Sequence, residues 1–342
     1  MARVKGGVST NDSSLKAVVA GVFGAYYHVI LHLDRLDGQR FKARPRGKLR
    51  IDYREKNTGY NKLRETLLAI GDVVTMERDE KNADTLVITG VEPRRNAIHR
   101  ASFGRQQCLA ANIDGVIVMA SILSPDFSLG FVERCLAEIH IAGVEAMLVV
   151  NKMDLRKEND SDSETDSILS YYEKIGIPVF RESVRDALSP ALAKTLQQGT
   201  WLILGQSGTG KSTLLNRVLG KNLQSVGRVS LIDKGRHTTT NPALYFSEEH
   251  ANLILIDVPG LREFGMHHRD AHEVKVGFKD FQKLDCRFEN CLHLKEPGCA
   301  VKAAVDAGEI PLFRYRSYMS MLDTVHENFK PRKGDYWRGI KK

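Results

Sequence analysis

The chain of 342 residues has no apolar run long enough to span a bilayer. Its longest stretch, Ala17 to Leu33, is broken by Gly21, Gly24, His28 and His32, and no cleavage site follows it. It reads as strand rather than as anchor or leader, and the expected setting is the cytoplasm, with no membrane partner. An even cysteine count is also missing. There are five, an odd number, and three of them crowd near the C-terminus, which argues against a secreted disulfide framework. Internal repeats and low-complexity tracts are absent, so solenoid and linker architectures drop out. Charge balance is lacking from one region to the next, because Lys and Arg concentrate at the two ends. Residues 1–111 carry net +8, residues 112–276 net −4 and residues 277–342 net +4, within a total of +8. Basic ends around an acidic centre suit a protein whose ends meet a polyanion while the middle does other work.

At this length two or three domains are expected. After a basic arm over residues 1–14, short β-like runs at Ala17–Phe23, Tyr27–Leu33, Phe41–Ile51, Asp72–Glu77 and Thr85–Val91 predict a small closed barrel of the OB type over 15–111. Arg40, Lys42, Arg44, Arg46, Lys48 and Arg50 occupy alternate positions, with Phe41, Ala43, Leu49 and Ile51 between them. Side chains alternate faces along a strand, so one strand would turn six cations to one side, an expected RNA-phosphate face. Charge that guards an edge strand against aggregation is the blander account, and Pro45 would serve it too. Residues 52–67 form a long polar stretch without an assigned role.

From residue 112 to 276 apolar β-rich runs (Asp114–Ala120, Ala146–Val150, Pro178–Phe180, Thr200–Leu204, Leu253–Val258) alternate with helical stretches such as Gly130–Ala142 and Ser163–Ile175. That alternation predicts a parallel sheet covered on both faces, an α/β domain. A mainly helical region with a basic tail is expected over 277–342.

Gly205, Gln206, Ser207, Gly208, Thr209, Gly210, Lys211, Ser212 and Thr213 form a phosphate loop between a buried strand and a helix. Backbone N–H groups of such a loop face phosphate oxygens at the positive end of the helix. Lys211 is expected on the β- and γ-phosphates and Ser212 on Mg²⁺. Asp257, Val258, Pro259 and Gly260 end a hydrophobic strand, which places Asp257 for Mg²⁺ and the Gly260 N–H for the γ-phosphate. Between them lie Arg236, His237, Thr238, Thr239 and Thr240. Thr239 is the expected switch threonine on Mg²⁺, with Thr238 the next candidate.

A guanine-reading motif is lacking where an ordinary GTPase has it, after the phosphate loop. It stands before the loop instead, as Asn151, Lys152, Met153 and Asp154. Asp154 can accept from guanine N1–H and the 2-amino group, whereas adenine would leave its carboxylate unpaired, so GTP is expected over ATP. Ser183-Val184 falls where a backbone contact to guanine O6 is expected. A glutamine to orient water is missing as well. Leu261 follows Gly260, which predicts slow intrinsic hydrolysis and a water-activating group elsewhere, with His237 the nearest candidate in sequence.

Cys286, Cys291, His293 and Cys299 supply three thiolates and an imidazole, the donor set of a closed structural zinc site. Cys108 and Cys135 stand apart and are expected to be buried apolar residues.

Reversed motif order, the Arg-His-Thr-Thr-Thr segment and the Cys/Cys/His/Cys spacing together resemble the circularly permuted, ribosome small-subunit-dependent GTPases of the RsgA (YjeQ) family, over nearly the whole chain. The resemblance implies an N-terminal OB-fold barrel, a circularly permuted α/β P-loop GTPase domain and a C-terminal zinc domain. It implies late maturation of the small ribosomal subunit, rRNA and GTP/GDP as partners, and hydrolysis stimulated by the subunit. A monomer is expected. Val258 and Val184 depart from the threonine and alanine usual in that family, conservatively enough to leave nucleotide binding intact. Two alternatives remain: a nucleotide-sensing RNA-binding protein with negligible turnover, and a metabolic P-loop kinase, against which the guanine motif speaks.

Overall fold

The structure, a computed structural model, describes residues 15–23, 26–31, 40–47, 49, 67–79, 85–102, 105–156, 164–220, 243–247, 249–250, 252–258, 261, 264–266 and 268–326.

Five strands come first: β1 (Leu15–Phe23), β2 (Tyr26–Leu31), β3 (Arg40–Pro45), β4 (Val73–Arg78) and β5 (Thr85–Val91). They lie in the order β1-β2-β3-β5-β4, and β4 returns to pair with β1, so the barrel closes and leaves no long edge. Alternation along the strands buries Val19, Val29, Ala43, Val74, Met76 and Ile88 inside it. One expectation needs correction. The cation-bearing strand does not reach Ile51 but stops at Pro45, whose nitrogen has no proton for the ladder. Gly47 and Leu49 are already helical, so the strand carries Arg40, Lys42 and Arg44, and Arg46 only follows it.

A separate antiparallel hairpin, β6 (Ala97–Ser102) with β7 (Arg105–Ala111), joins barrel to sheet. Its Ile98 and Ala110 enter the same core as Val116, Leu136 and Phe131. At its base the fully buried Asp72 takes two bonds from Arg94, at 2.7 and 2.9 Å, and a third from the Ala69 N–H.

The chain then runs through β8 (Gly115–Ser121), α1 (Leu129–Ile141), β9 (Glu145–Asn151), α2 (Glu164–Lys174), β10 (Val179–Arg181), α3 (Pro190–Thr195), β11 (Gly199–Gly205), α4 (Lys211–Val218), β12 (Ala243–Phe246) and β13 (Leu253–Asp257). The sheet order is β10-β9-β8-β11-β13-β12, parallel except for β12. Period-two alternation sorts its residues. Val116, Val118, Leu148, Val150, Leu202 and Ile256 face α1, while Ile117, Met119, Val149, Ile203 and Leu255 face Leu214 of α4 and Leu192 of α3. Strands buried on both sides read as continuous apolar runs, which is why the sequence announces them. Neither the hairpin nor β12 is announced, because one is largely polar and the other has four residues. β12 also touches the barrel, through Gly21 of β1 against Ala243.

Beyond the sheet, α5 (Ala271–Val276), α6 (Lys279–Gln282), α7 (Ala300–Asp306) and α8 (Leu312–His326) enclose a second apolar core of Phe278, Phe281, Val301, Tyr318 and Leu322. No helix among the described residues is long and apolar enough to cross a membrane.

Candidate nucleotide and metal sites

The parallel strands deliver three motifs to one end of the sheet. β11 ends at Gly205, and the loop after it starts α4 at Lys211. Ile203 on that strand sits in register with Asp257, the last residue of β13. Two strands away in the other direction, β9 ends at Asn151. Lys211 and Asp257 approach closely enough to interact: burial lowers the Lys211 pKa, and Asp257 offsets part of that fall. The Lys211 ammonium donates to the carbonyls of Gly205 at 2.6 Å and Gln206 at 2.8 Å, so it lies folded across the loop. Ser207, Gly208, Ser212 and Thr213 are exposed there, whereas Thr209 is buried and its hydroxyl donates to Gln206 O at 2.9 Å.

Asn151 is the joint between the motifs. It is 3% exposed. Its Nδ2 donates to Thr209 O at 2.9 Å and its Oδ1 accepts from the Val184 N–H at 3.0 Å. One carboxamide thus ties the loop after β9 to the phosphate loop and to the loop after β10. It also occupies the Val184 N–H, the amide expected near guanine O6. The second Nδ2 hydrogen remains. Gly210, at the start of α4, is bound to be glycine on two counts: φ is +101°, and a Cβ would stand 2.1 Å from Asn151 Nδ2.

Lys152 adopts a left-handed backbone, φ 64°, and its ammonium bonds Ser124 O. Met153 is half-buried and packs against the sheet core. Asp154 is exposed, and its carboxylate faces no buried partner among the described residues. The Ser183 hydroxyl accepts from the Asp154 N–H at 3.0 Å, which orients that residue from the neighbouring loop. Glu182 beside it is buried and accepts from Ser189 at the start of α3.

Leu261 is fully buried among Phe131, Val258 and Phe264. Packing accounts for a leucine there. His237, Thr238, Thr239 and Gly260 lie outside the described residues, as do Lys48, Arg50, the arm 1–14, most of 52–67 and the tail after 326.

A second cluster forms in the C-terminal core. His293 Nδ1 lies 3.5 Å from each of the Cys286, Cys291 and Cys299 sulfurs, and the four ligand atoms fall within 4.8 Å of one another. A tetrahedral centre with bonds of about 2.1–2.3 Å has edges of roughly 3.5–3.8 Å, so the four donors fit a small tetrahedral ion. Burial lowers the His293 pKa to about 4, leaving the ring neutral and ready to ligate. Tyr315 donates to His293 O at 2.7 Å and Tyr318 to Leu292 O at 2.8 Å, so α8 holds the ligand loop from outside. As expected, Cys108 and Cys135 are buried away from this cluster, and burial pushes the Cys135 thiol far up.

Two carboxylates of α1, both fully buried, join the regions. Glu133 accepts from Arg314 of α8 at 2.5 Å and from the Tyr172 hydroxyl at 2.7 Å. Arg314 also grips Asp280 at 2.8 and 3.1 Å and lies over the Phe278 ring. Burial pushes the Glu133 carboxyl up, against the pull of Arg314. It works the same way on Asp280, but Arg314 and Tyr171 outweigh it there and the pKa falls. One turn on, Glu138 accepts from Arg269 at 2.6 and 2.9 Å, with His268 at 3.6 Å and the His99 N–H of β6 at 3.2 Å. The sequence gives no hint of either node, because ordinary acidic and basic residues far apart in the chain build them.

On the barrel, Lys42 lies 3.8 Å over the Tyr26 ring. Arg40 instead donates to Leu244 O of β12 at 2.9 Å. Arg44 and Arg46 reach Asp79 and Glu77, at 2.5 and 2.6 Å. Carboxylates missing from the local sequence therefore arrive from β4 and the turn after it.

A phosphate loop, a Mg²⁺-type aspartate and a guanine motif that precedes them on one parallel sheet define a circularly permuted GTPase. The model of the RsgA GTPase family matches residues 91–267. A protein of Haemophilus influenzae (strain 86-028NP), "Small ribosomal subunit biogenesis GTPase RsgA", is 37% identical over 274 residues, 78% of this chain and 78% of that one. The protein of that name from Histophilus somni (strain 129Pt) is 35% identical over 78% of this chain and 77% of its own. The crystal structure of YjeQ from Thermotoga maritima matches with TM-score 0.67 at 26% identity, over 91% of this chain and 98% of that one. YloQ, described as a circularly permuted GTPase, matches with TM-score 0.64 at 25% identity, over 95% and 100%. The chain belongs to the RsgA GTPase family and is a GTP-hydrolysing enzyme, which disfavours the reading without turnover.

Proposed function

We propose that the protein hydrolyses GTP as an assembly factor in late maturation of the small ribosomal subunit, binding its rRNA and accelerated by it. The cytoplasm is its place of work, and it acts as a monomer. Its proposed units are a barrel over 15–111, the GTPase domain over 112–276 and a zinc domain over 277–342. The observation that carries the proposal is the pair of hydrogen bonds that Asn151 makes with Thr209 O and the Val184 N–H, because it makes base reading and phosphate binding one rigid site. The relatives' names supply the ribosomal subunit as partner.

In this site Asp154 reads guanine, helped by Ser183, with Lys152 and Met153 forming its bed. Gly205–Thr213 cradle the phosphates, and Lys211 exchanges the carbonyls of Gly205 and Gln206 for the β- and γ-oxygens. Ser212, Asp257 and Thr239 would hold Mg²⁺, which supplies neutralisation of phosphate charge. Gly260 contacts the γ-phosphate and His237 is the proposed water-activating group. Cys286, Cys291, His293 and Cys299 would hold zinc, which supplies folding energy rather than chemistry. RNA phosphates meet Lys42, Arg44 and Arg46, with Arg40, Lys48 and Arg50 beside them in sequence.

The path out of the catalytic centre is built for transmission. After Asp257 the chain is pinned to the sheet core by Leu261 and Phe264, then enters the metal-side core at Met266 and meets Glu138 through Arg269. Phosphate release measured with and without purified small subunits tests the function, and His237→Ala tests the residue. Subunit stimulation is expected in the wild type and its loss in the variant. Absence of stimulation in the wild type would remove the assembly role.

A further inference from the structure

The outer face of β1–β3 carries an aromatic strip that the cation pattern alone does not reveal. Tyr26 opens β2 and is 41% exposed, although one side of its ring is covered by the Lys42 ammonium. Phe23 ends β1 and pairs in register with Tyr26, which puts both rings on the same side of the hairpin. The Phe23 ring lies over Gly21, so close that a Cβ there would meet it at 2.7 Å. It also leans on His28, with ring centroids 4.5 Å apart. His28 in turn is the register partner of Lys42 on β3. Phe23, Tyr26, His28 and Lys42 therefore form one patch, flanked by Arg44. Burial, then Arg40 and Lys42, lowers the His28 pKa, which keeps its ring neutral beside the cations.

Edge protection would need only the charges. It does not need a half-exposed tyrosine backed by an ammonium, with a second ring close against a glycine. A nucleobase is a π-surface that stacks on such rings, and the neighbouring cations answer its phosphates. A duplex offers phosphates to the cations but no free base faces to the rings. We propose that this face binds unpaired RNA, with Tyr26 as the stacking platform for one base, Lys42 behind it and Phe23 as the second platform. The proposal rests on the RNA-binding part of the function given above and assigns it a strand state and a residue.

The test uses the full chain and two probes, a short uridine homopolymer and a fully paired RNA duplex, at fixed salt. Tyr26→Leu is expected to weaken single-strand binding about 5- to 150-fold, the loss of one stacked base. Tyr26→Phe should keep most of it, and duplex affinity should stay level in both. Equal losses on both probes, or no loss on the single strand, would overturn the proposal. So would weakened binding to the small subunit in Tyr26→Leu with single-strand affinity intact, because that outcome puts a protein on the face. Subunit stimulation of the wild type, measured alongside, separates the two levels. If stimulation is present but Tyr26→Leu changes nothing, only the stacking face falls; if stimulation is absent, the assembly role falls first.

Discussion

At the phosphate loop the groups proposed to meet the nucleotide are main-chain N–H groups and one lysine, beside the exposed Ser207, Ser212 and Thr213. In the cluster at Cys286, Cys291, His293 and Cys299 they are four side chains, three of them buried, with Tyr315 and Tyr318 closing the loop from outside. The first kind of site can be loaded and emptied without disturbing the core beneath it. The second would have no such freedom, because a metal held by these four side chains would be part of the packing. Damage to one should therefore appear as lost affinity at constant stability, and damage to the other as lost stability at constant affinity.

The widest separation is expected from Cys291→Ser or strong chelation. Metal binding in such sites is worth about 10–16 kcal/mol in small peptides and is folding energy. Metal content should fall, and amide exchange should accelerate across α5–α8, while GTP affinity moves by less than about threefold. GTP affinity that falls in step with metal content would break the comparison.

Arg314→Met comes next, since it leaves Glu133 and Asp280 buried without their cation, at a cost of about 3–5 kcal/mol. Thermal unfolding should register it. Adding Glu133→Gln should recover part of the loss, and no recovery would deny Arg314 its role as counter-ion.

On the open side, Asp154→Asn should weaken GTP at least about 100-fold at unchanged melting temperature. Competition between GTP and xanthosine triphosphate is the readout, with preference shifting to the latter. A lowered melting temperature would mean that the exposed carboxylate is structural after all.

His140 supplies a pH test of the closed side. Its Nδ1–H faces Gly277 O at 3.0 Å, and burial lowers its pKa to about 4. The unfolded chain binds the proton first, so its contribution is present above about pH 6.5 and is lost as pH falls toward 4. Up to about 3 kcal/mol is at stake. His140→Gln should flatten that slope in denaturant titrations, and an unchanged slope would exclude it. The smallest effect is reserved for Gly210→Ala, where left-handed backbone and the contact with Asn151 should cost about tenfold in GTP affinity.

The same contrast explains what the sequence discloses. The phosphate loop restricts residue type through the backbone at Gly210 and through side-chain chemistry at Lys211, and the expected guanine motif does so through the Asp154 carboxylate, so all three stand out as text. Thiolates restrict them through coordination, so Cys286 to Cys299 stand out as well. Glu133, Glu138, Arg269 and Arg314 do not, since each is an ordinary residue whose meaning comes from a partner far along the chain. Tyr26 escapes for a related reason: only strand pairing brings it under Lys42. Pro45 was the visible warning that the six-cation alternation would end early, because a missing N–H outweighs a favourable pattern.

The contact of β1 with β12 is small, one pair at Gly21 and Ala243, reinforced by Arg40 on Leu244 O. It nevertheless makes a mechanical linkage. Thr240 precedes Ala243 by three residues, and the strand that begins there is stitched on one side to β13, which ends in Asp257, and on the other to the barrel. A shift of the barrel strand would therefore be felt at β12, whose opposite edge stays paired with the strand that ends in Asp257.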